Sequence, residues 1–329
     1  MKKLYLHGIG HFHPENEITN RFLEDLDIGT TDDWIMERVG IRSRHTVLPL
    51  DYIRKTKNRD IRGAYEAALF TNAQTGAAAA RLGLERAGLK PEDIGMVIAG
   101  CSAPDNLISA EAASTAAELG IECLCFDVNS ACTTFSVQMD FINRMMPETL
   151  PPFILVVNPE IVTCSVDYSD RRNAVLFGDG STAAVVSASV AANRYFSGCY
   201  SQSKPSDWQK VNIPRTGFFN QDGNAVQGFA IRKTTDSLRK IIESCDVSSN
   251  VLKFIGHQAN YSVLRTVCER AGIDERNHWH NVVDFGNTGT AGTPSVLSQH
   301  WDELRPGDRV AISQVGSGLT WSHMLLTIE

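Results

Sequence analysis

The feature that most constrains this chain is a pattern that occurs twice. An apolar run at residues 96–100 is followed by the polar turn Phe126-Asp127-Val128-Asn129-Ser130-Ala131-Cys132, and then by a second apolar run at 153–157. Later, a run at 252–256 is followed by Val283-Asp284-Phe285-Gly286-Asn287-Thr288-Gly289, and then by a run at 309–313. Each unit reads as a strand, a polar turn ahead of a helix, and another strand. Short apolar runs alternating with helical stretches argue for an α/β architecture. With 329 residues, a large single core and two fused similar halves both fit the length. The repeat predicts a first half over 1–187, holding Cys132, and a second over 188–329, holding His257 and Asn287. Further strands are expected at 152–157 and 183–186, and helices at 76–87, 109–119 and from Cys132 toward Met145.

Bulk properties exclude several classes. The net charge is -7, which gives no electrostatic reason to expect nucleic acid or an anionic membrane as partner. No stretch is long and apolar enough to span a membrane. The opening Met1-Lys2-Lys3-Leu4-Tyr5 does not continue as a signal peptide, so a cytoplasmic location is expected. The eight cysteines (101, 123, 125, 132, 164, 199, 245 and 268) read as free thiols rather than a disulfide framework. Cys123 and Cys125 fall on one face of an apolar strand and read as buried structural thiols. Neither they nor His278 and His280 have neighbours that complete four ligands, so no metal is expected. The segment 48–71 contains Arg54-Lys55-Thr56-Lys57-Asn58-Arg59. It reads as a solvated loop and helix, or as a lid or docking surface for an acidic carrier.

Four segments carry possible chemistry. Ser130-Ala131-Cys132-Thr133-Thr134 joins a strand to a helix, and a thiol in a first helical turn sits in a positive field that lowers its pKa. Gly256-His257-Gln258-Ala259-Asn260 places a histidine at the end of a buried strand. Gly286-Asn287-Thr288-Gly289 offers a carboxamide among small residues that let backbone approach a ligand. Val315-Gly316-Ser317-Gly318 frees backbone N–H groups for an oxyanion hole. Each signal is modest alone.

In this order and spacing, together with Thr31-Asp32-Asp33-Trp34-Ile35-Met36-Glu37-Arg38 and Phe177-Gly178-Asp179-Gly180, these segments resemble the ketoacyl synthase III family of the thiolase superfamily over nearly the whole chain. The resemblance implies a thiolase fold, two similar halves forming a layered α-β-α-β-α core. It implies Cys132 as acyl-accepting nucleophile, His257 and Asn287 as the pair holding the second thioester's carbonyl, and backbone N–H groups of Cys132 and Ser317 as the oxyanion hole. It places Trp34, Arg38 and Arg171 at the entry for pantetheine or nucleotide, with Asn260, Leu107 and Val315 near the substrate. The substrates would be thioesters of acyl carrier protein or coenzyme A, with no cofactor, in a homodimer whose Leu107 reaches the partner's acyl pocket.

The chain also departs from the starter enzymes of that family. Ser262 and Gly228 stand where basic carrier-docking residues are usual, and the basic insertion near Arg54 is longer. Leu107 and Val315 stand where Phe is common, so a wider pocket and a preference for medium or long acyl chains are expected. These departures resemble a secondary-metabolism branch that joins two ketoacyl chains, as in pyrone formation. The competing readings are a starter synthase of fatty-acid synthesis, an acyltransferase making an ester or amide on the same scaffold, and a non-catalytic partner subunit.

Overall fold

The structure is a computed structural model that describes residues 2–245 and 251–329. The strands, in chain order, are β1 (Leu4–Phe12), β2 (Asn16–Thr19), β3 (Ser43–Thr46), β4 (Met96–Ala99), β5 (Leu124–Asp127), β6 (Ile154–Glu160), β7 (Gly180–Ser187), β8 (Arg194–Ser203), β9 (Val211–Asn212), β10 (Asn220–Gln221), β11 (Lys253–Gly256), β12 (Arg309–Gly316) and β13 (Thr320–Ile328). Nine of them form one mixed sheet in the order β11-β12-β13-β8-β1-β7-β6-β4-β5. The run β1-β7-β6-β4 pairs antiparallel, antiparallel, then parallel. The run β8-β13-β12-β11 repeats that order and those senses. β5 extends the first run as a parallel edge. In the second run its place is taken by a single parallel bridge between Phe254 and His278.

Helices cover this sheet in layers. Asn72–Ala87 packs on β1, β6 and β7, with Glu111–Leu119 beside it over β4 and β5. Its Ala79, Ala80 and Leu84 meet Val97, Leu155 and Val185 in an outer core. Gly223–Cys245 lies over β12 and β13 and packs against Tyr261–Ala271. Between the two flanks run Thr134–Arg144, against β6, β8 and β13, and Gly292–Gln299, against β1, β7 and β11. The order is therefore α-β-α-β-α. The two β layers are flanks of one sheet, joined where Leu4 pairs with Phe196 and Tyr5 with Tyr195.

The middle helices are buried on nearly every side, as a helix between two layers must be. Phe135 and Met139 are essentially inaccessible, each contributing roughly 1.5–3 kcal/mol of burial. All residues from Gly292 to Ser298 are buried, and most are small, which lets the layers close on that helix.

Several expected boundaries move. The helix expected from Cys132 begins at Thr134, and the one from residue 109 begins at Glu111. Segment 48–71 folds into two short helices, Leu50–Thr56 and Ile61–Ala67. Cys123 and Cys125 are half-buried rather than buried. They lie at the sheet's edge strand, where neighbouring Leu124 is 61% exposed. Among the described residues no helix is long and apolar enough to cross a membrane, and no cluster of three or more His, Cys, Asp or Glu is placed to hold a metal.

Candidate active site

β5 ends at Asp127, whose carboxylate accepts the N–H groups of Glu111 and Ala112 at 2.9 and 3.0 Å. The chain then turns through Ala131, a non-glycine residue at φ 47°. Such a left-handed residue costs on the order of 1–3 kcal/mol and persists only when its surroundings hold it. Those surroundings come from β12. Gln314 Nε2 donates to the Cys132 carbonyl at 2.9 Å, while its Oε1 accepts from Ser136 N at 3.0 Å. Thr133 Oγ1 and Thr320 Oγ1 lie 2.9 Å apart. Gly316 lets the closing loop come this near, since a Cβ there would stand 3.1 Å from Cys132 N.

The expectation of a lowered Cys132 pKa is overturned. Cys132 precedes the helix cap, Thr133, so it lacks the first-turn position. Desolvation in the protein, with the Glu160 carboxylate nearby, pushes its thiol up to about 12.

β11 delivers His257 at its end. Gln258 clamps that turn by donating to Gly256 O at 2.7 Å and accepting from Asn281 N and Val282 N at 3.0 and 3.2 Å. Burial lowers His257 to about 4, so it is a neutral imidazole with one N–H to donate. Asn287 is fixed by its backbone, which bonds Leu176 O at 2.8 Å and receives Gly178 N–H at 3.2 Å. Its Oδ1 accepts Gly289 N–H at 3.0 Å. A backbone N–H needs an acceptor, so this contact orients the amide and leaves the Nδ2 hydrogens for another partner.

These groups converge. Cys132, His257, Asn287, Val315 and Ser317 line one cavity of about 80 Å³, walled by Phe177, Phe219 and Phe229. A second cavity of about 130 Å³ adjoins it at Cys132, Phe219 and Ser317 and extends toward Val162, Ile213 and Asn129. Val315, expected near the substrate, lines the first of these cavities. Val315 is 6% exposed and packs with Ala230 and Val263. Trp321 stands edge-on to Phe229, ring centroids 5.8 Å apart.

The remaining expected residues lie apart from Cys132. The guanidinium of Arg171 stacks on Trp34, 4.9 Å from the ring centroid, and donates to Gly29 O. Arg38 is exposed at the end of the helix Asp32–Arg38. Asn260 is a helix cap, its side chain accepting Val263 N–H at 2.8 Å, so its carbonyl oxygen is committed to structure. Leu107 is 71% exposed and Ile108 89%. They line an outer depression of about 380 Å³ that shares Asn129 with the second cavity.

Sequence reasoning missed Gln314 and Glu160. Glu160 is wholly buried at the end of β6 and accepts N–H groups from Ser102 at 3.2 Å and Thr290 at 3.1 Å, tying the Asn287 loop to the other flank. A carboxylate closing an apolar strand was a readable signal; its partners, one near residue 100 and one near residue 290, were not. Asp179 of the Phe-Gly-Asp-Gly motif is likewise buried. It accepts from Val47 N and Thr163 N at 2.8 and 2.9 Å, which makes it a support for the strand that frames Asn287.

A five-layered fold with a thiol, an imidazole and a carboxamide around one cavity defines a thiolase-fold, acyl-transferring condensing enzyme. Comparison with known proteins gives the family. Residues 126–204 match the model of 3-oxoacyl-(acyl carrier protein) synthase III, and residues 247–328 match the model of its C-terminal part. A β-ketoacyl-(acyl carrier protein) synthase III of Campylobacter curvus is 29% identical, covering 99% of this chain and 97% of its own. One of Sulfurovum sp. is 28% identical over 97% of this chain and 94% of its own. The crystal structure of 3-oxoacyl-(acyl carrier protein) synthase III from Aquifex aeolicus superposes with a TM-score of 0.87 at 26% identity, covering 98% and 99% of the two chains. The chain belongs to the 3-oxoacyl-(acyl carrier protein) synthase III family.

Proposed function

We propose that this enzyme loads an acyl chain on Cys132 and joins it to a second acyl thioester by a Claisen-type condensation. The observation that carries the proposal is the single cavity shared by Cys132, His257, Asn287 and the loop at Ser317. Cys132, as thiolate, attacks the donor thioester carbon; the C–S bond breaks and the carrier's thiol leaves with the proton. Backbone N–H groups of Cys132 and Ser317 hold the tetrahedral oxyanion. The second thioester, carrying a carboxylate on its α-carbon, loses CO2 as that C–C bond breaks, and the electron pair left behind forms an enolate whose oxygen accepts hydrogen bonds from His257 and Asn287 Nδ2. Its carbon attacks the acyl carbon, and the Cys132 thiolate is released. Every step balances without a redox partner. In this reading residues 1–187 supply the nucleophile and residues 188–329 the enolate donors, with Trp34, Arg38 and Arg171 at the carrier entry.

For the substrate we propose a medium or long acyl chain, delivered by acyl carrier protein or coenzyme A in the cytoplasm, in a pathway of secondary metabolism. The departures at Leu107, Ser262 and Gly228 support this. A second reading, a starter synthase loading acetyl-sized groups, is favoured by the small free volume beside Cys132, about 80 Å³. Intact-mass measurement of Cys132 acylation with acetyl and octanoyl thioesters separates the two: faster octanoyl loading supports the first, faster acetyl loading the second. We also propose a homodimer in which the exposed Leu107–Ile108 tip of one copy closes the acyl cavity of the other near Asn129. Sedimentation at micromolar concentration tests it, and a fully active monomer is the contrary result.

A further inference from the structure

The insertion formed by the helices Leu50–Thr56 and Ile61–Ala67 has an uneven charge. Residues 54–62 hold five basic side chains and one acidic, in a chain whose net charge is -7. Arg54 is paired with Asp51 and Arg62 with Glu66. Lys55 and Arg59 are exposed and Lys57 half-buried, and among the described residues no carboxylate pairs with these three.

The turn that carries them is rigidly anchored. Lys57 and Asn58 both take left-handed backbone, at φ 51° and 49°. Asn58 is fully buried, and its Nδ2 contacts the carbonyls of Thr163, Cys164 and Val166 at 3.2, 3.1 and 2.9 Å. Tyr168 N–H donates to Lys57 O at 2.9 Å. The segment gripped in this way begins at Val162, in the cavity wall beside Cys132, and leads to Arg171, stacked on Trp34. Leu69, 57% exposed, and Phe70, 38% exposed, follow the second helix and add exposed apolar surface to the same insertion.

We propose that the face made by Lys55, Lys57 and Arg59 docks an acidic, phosphopantetheine-bearing carrier protein that delivers the acyl chain. The proposal rests on the condensing-enzyme reading above. The chain as a whole repels an acidic partner, so a local concentration of unpaired cations directs where such a partner lands. The anchored turn fixes the backbone from which those cations project, so docking need order only their side chains. The segment it grips links the cavity wall to the Trp34–Arg171 stack, so a carrier seated there stands beside the route to Cys132. On the other flank Ser262 and Gly228 are uncharged, and Arg265 is paired with Glu269.

The test is the rate of Cys132 acylation by octanoyl groups carried on an acidic acyl carrier protein and on coenzyme A, in wild type, Lys55→Glu/Arg59→Glu and Arg265→Glu. The double variant is expected to lower kcat/KM for the carrier-bound donor by about tenfold or more, to leave the coenzyme A donor within about twofold, and to lose its defect as salt is raised. Arg265→Glu, one helical turn beyond Ser262, leaves both donors unchanged. Equal loss with both donors shows that the face reads the donor's phosphates or supports the fold, and overturns the proposal. An unaffected carrier donor overturns it, as does a carrier-specific loss in Arg265→Glu instead. Wild type that loads from coenzyme A alone overturns the carrier. Wild type that loads from neither overturns the condensing-enzyme reading on which the proposal stands.

Discussion

The turn after β5 and the turn from Phe285 to Gly289 stand at corresponding points of two strand runs with the same pairing order, yet they are built in opposite ways. The first follows a true strand, β5, and reaches Cys132 through Ala131 at φ 47°. The second follows a run reduced to one bridge at His278 and uses Gly289 at φ 53° just after Asn287. One turn uses a strained backbone to project a thiol into the cavity. The other uses glycine to bring backbone close, so that an amide is held by its own chain. The comparison teaches that a duplicated frame fixes where functional groups emerge, while local backbone chemistry decides what kind of group each turn can hold.

The largest expected effect separates the turns outright. Cys132→Ala abolishes acyl loading, read by intact mass, while circular dichroism and melting stay near wild type. Acylation that persists, or maps to Cys101 or Cys164, removes the first turn from the chemistry. His257→Ala and Asn287→Ala are expected to keep loading and to lose condensation by roughly 10²–10³-fold each, about 3–4 kcal/mol per donor. Single-turnover loading measured apart from product is the check, and an equal loss of both steps erases the division between the turns.

A third prediction concerns acidity. Because the Cys132 thiol is pushed up to about 12, the thiolate fraction rises about tenfold per pH unit across the neutral range. Iodoacetamide labelling of Cys132 should therefore climb without a plateau from about pH 6 to about pH 9. A plateau near neutrality would show a thiolate already stabilised in the free enzyme.

Two smaller effects have opposite signs. Gly289→Ala places a Cβ 2.6 Å from Glu160 Oε2 on a left-handed backbone, and a loss of about 1–3 kcal/mol is expected by chemical denaturation. Ala131→Gly relieves a strained φ and is expected to be neutral or to stabilise by less than about 1 kcal/mol. The same sign for both would mean that the turns are not built as different as their dihedrals indicate.

Much of this was legible before the fold was known. The strands β4, β6 and β7 each contain a short apolar run buried on both faces, at 96–99, 154–157 and 183–186, and such runs are the composition expected of strands covered on both sides. His257 and Ser317 were legible as cavity residues because each directly follows a strand, and Cys132 and Asn287 because each sits in a turn among small residues. Boundaries were less so. The helix after Cys132 starts two residues late because Ser130 O and Ala131 O accept the N–H groups of Thr133 and Thr134 in a turn, which propensity does not encode. The capping contact of Asn260 with Val263 N–H was not legible, because a helix cap and a ligand-binding amide are the same side chain until a partner is known.

By itself, the sequence determined which segments are buried, where polar groups interrupt them, and that two such segments repeat, since these follow from solvation and periodicity along the chain. Only the tertiary structure decided that Gln314 holds the Cys132 turn from 182 positions away and that Glu160 joins Ser102 to Thr290. It also decided that Val315 packs with Ala230 and Val263, and that burial raises rather than lowers the pKa of the Cys132 thiol. Each of these depends on groups far apart in the chain that become neighbours when the layers close. Desolvation and packing are set by that neighbourhood, which local pattern does not contain.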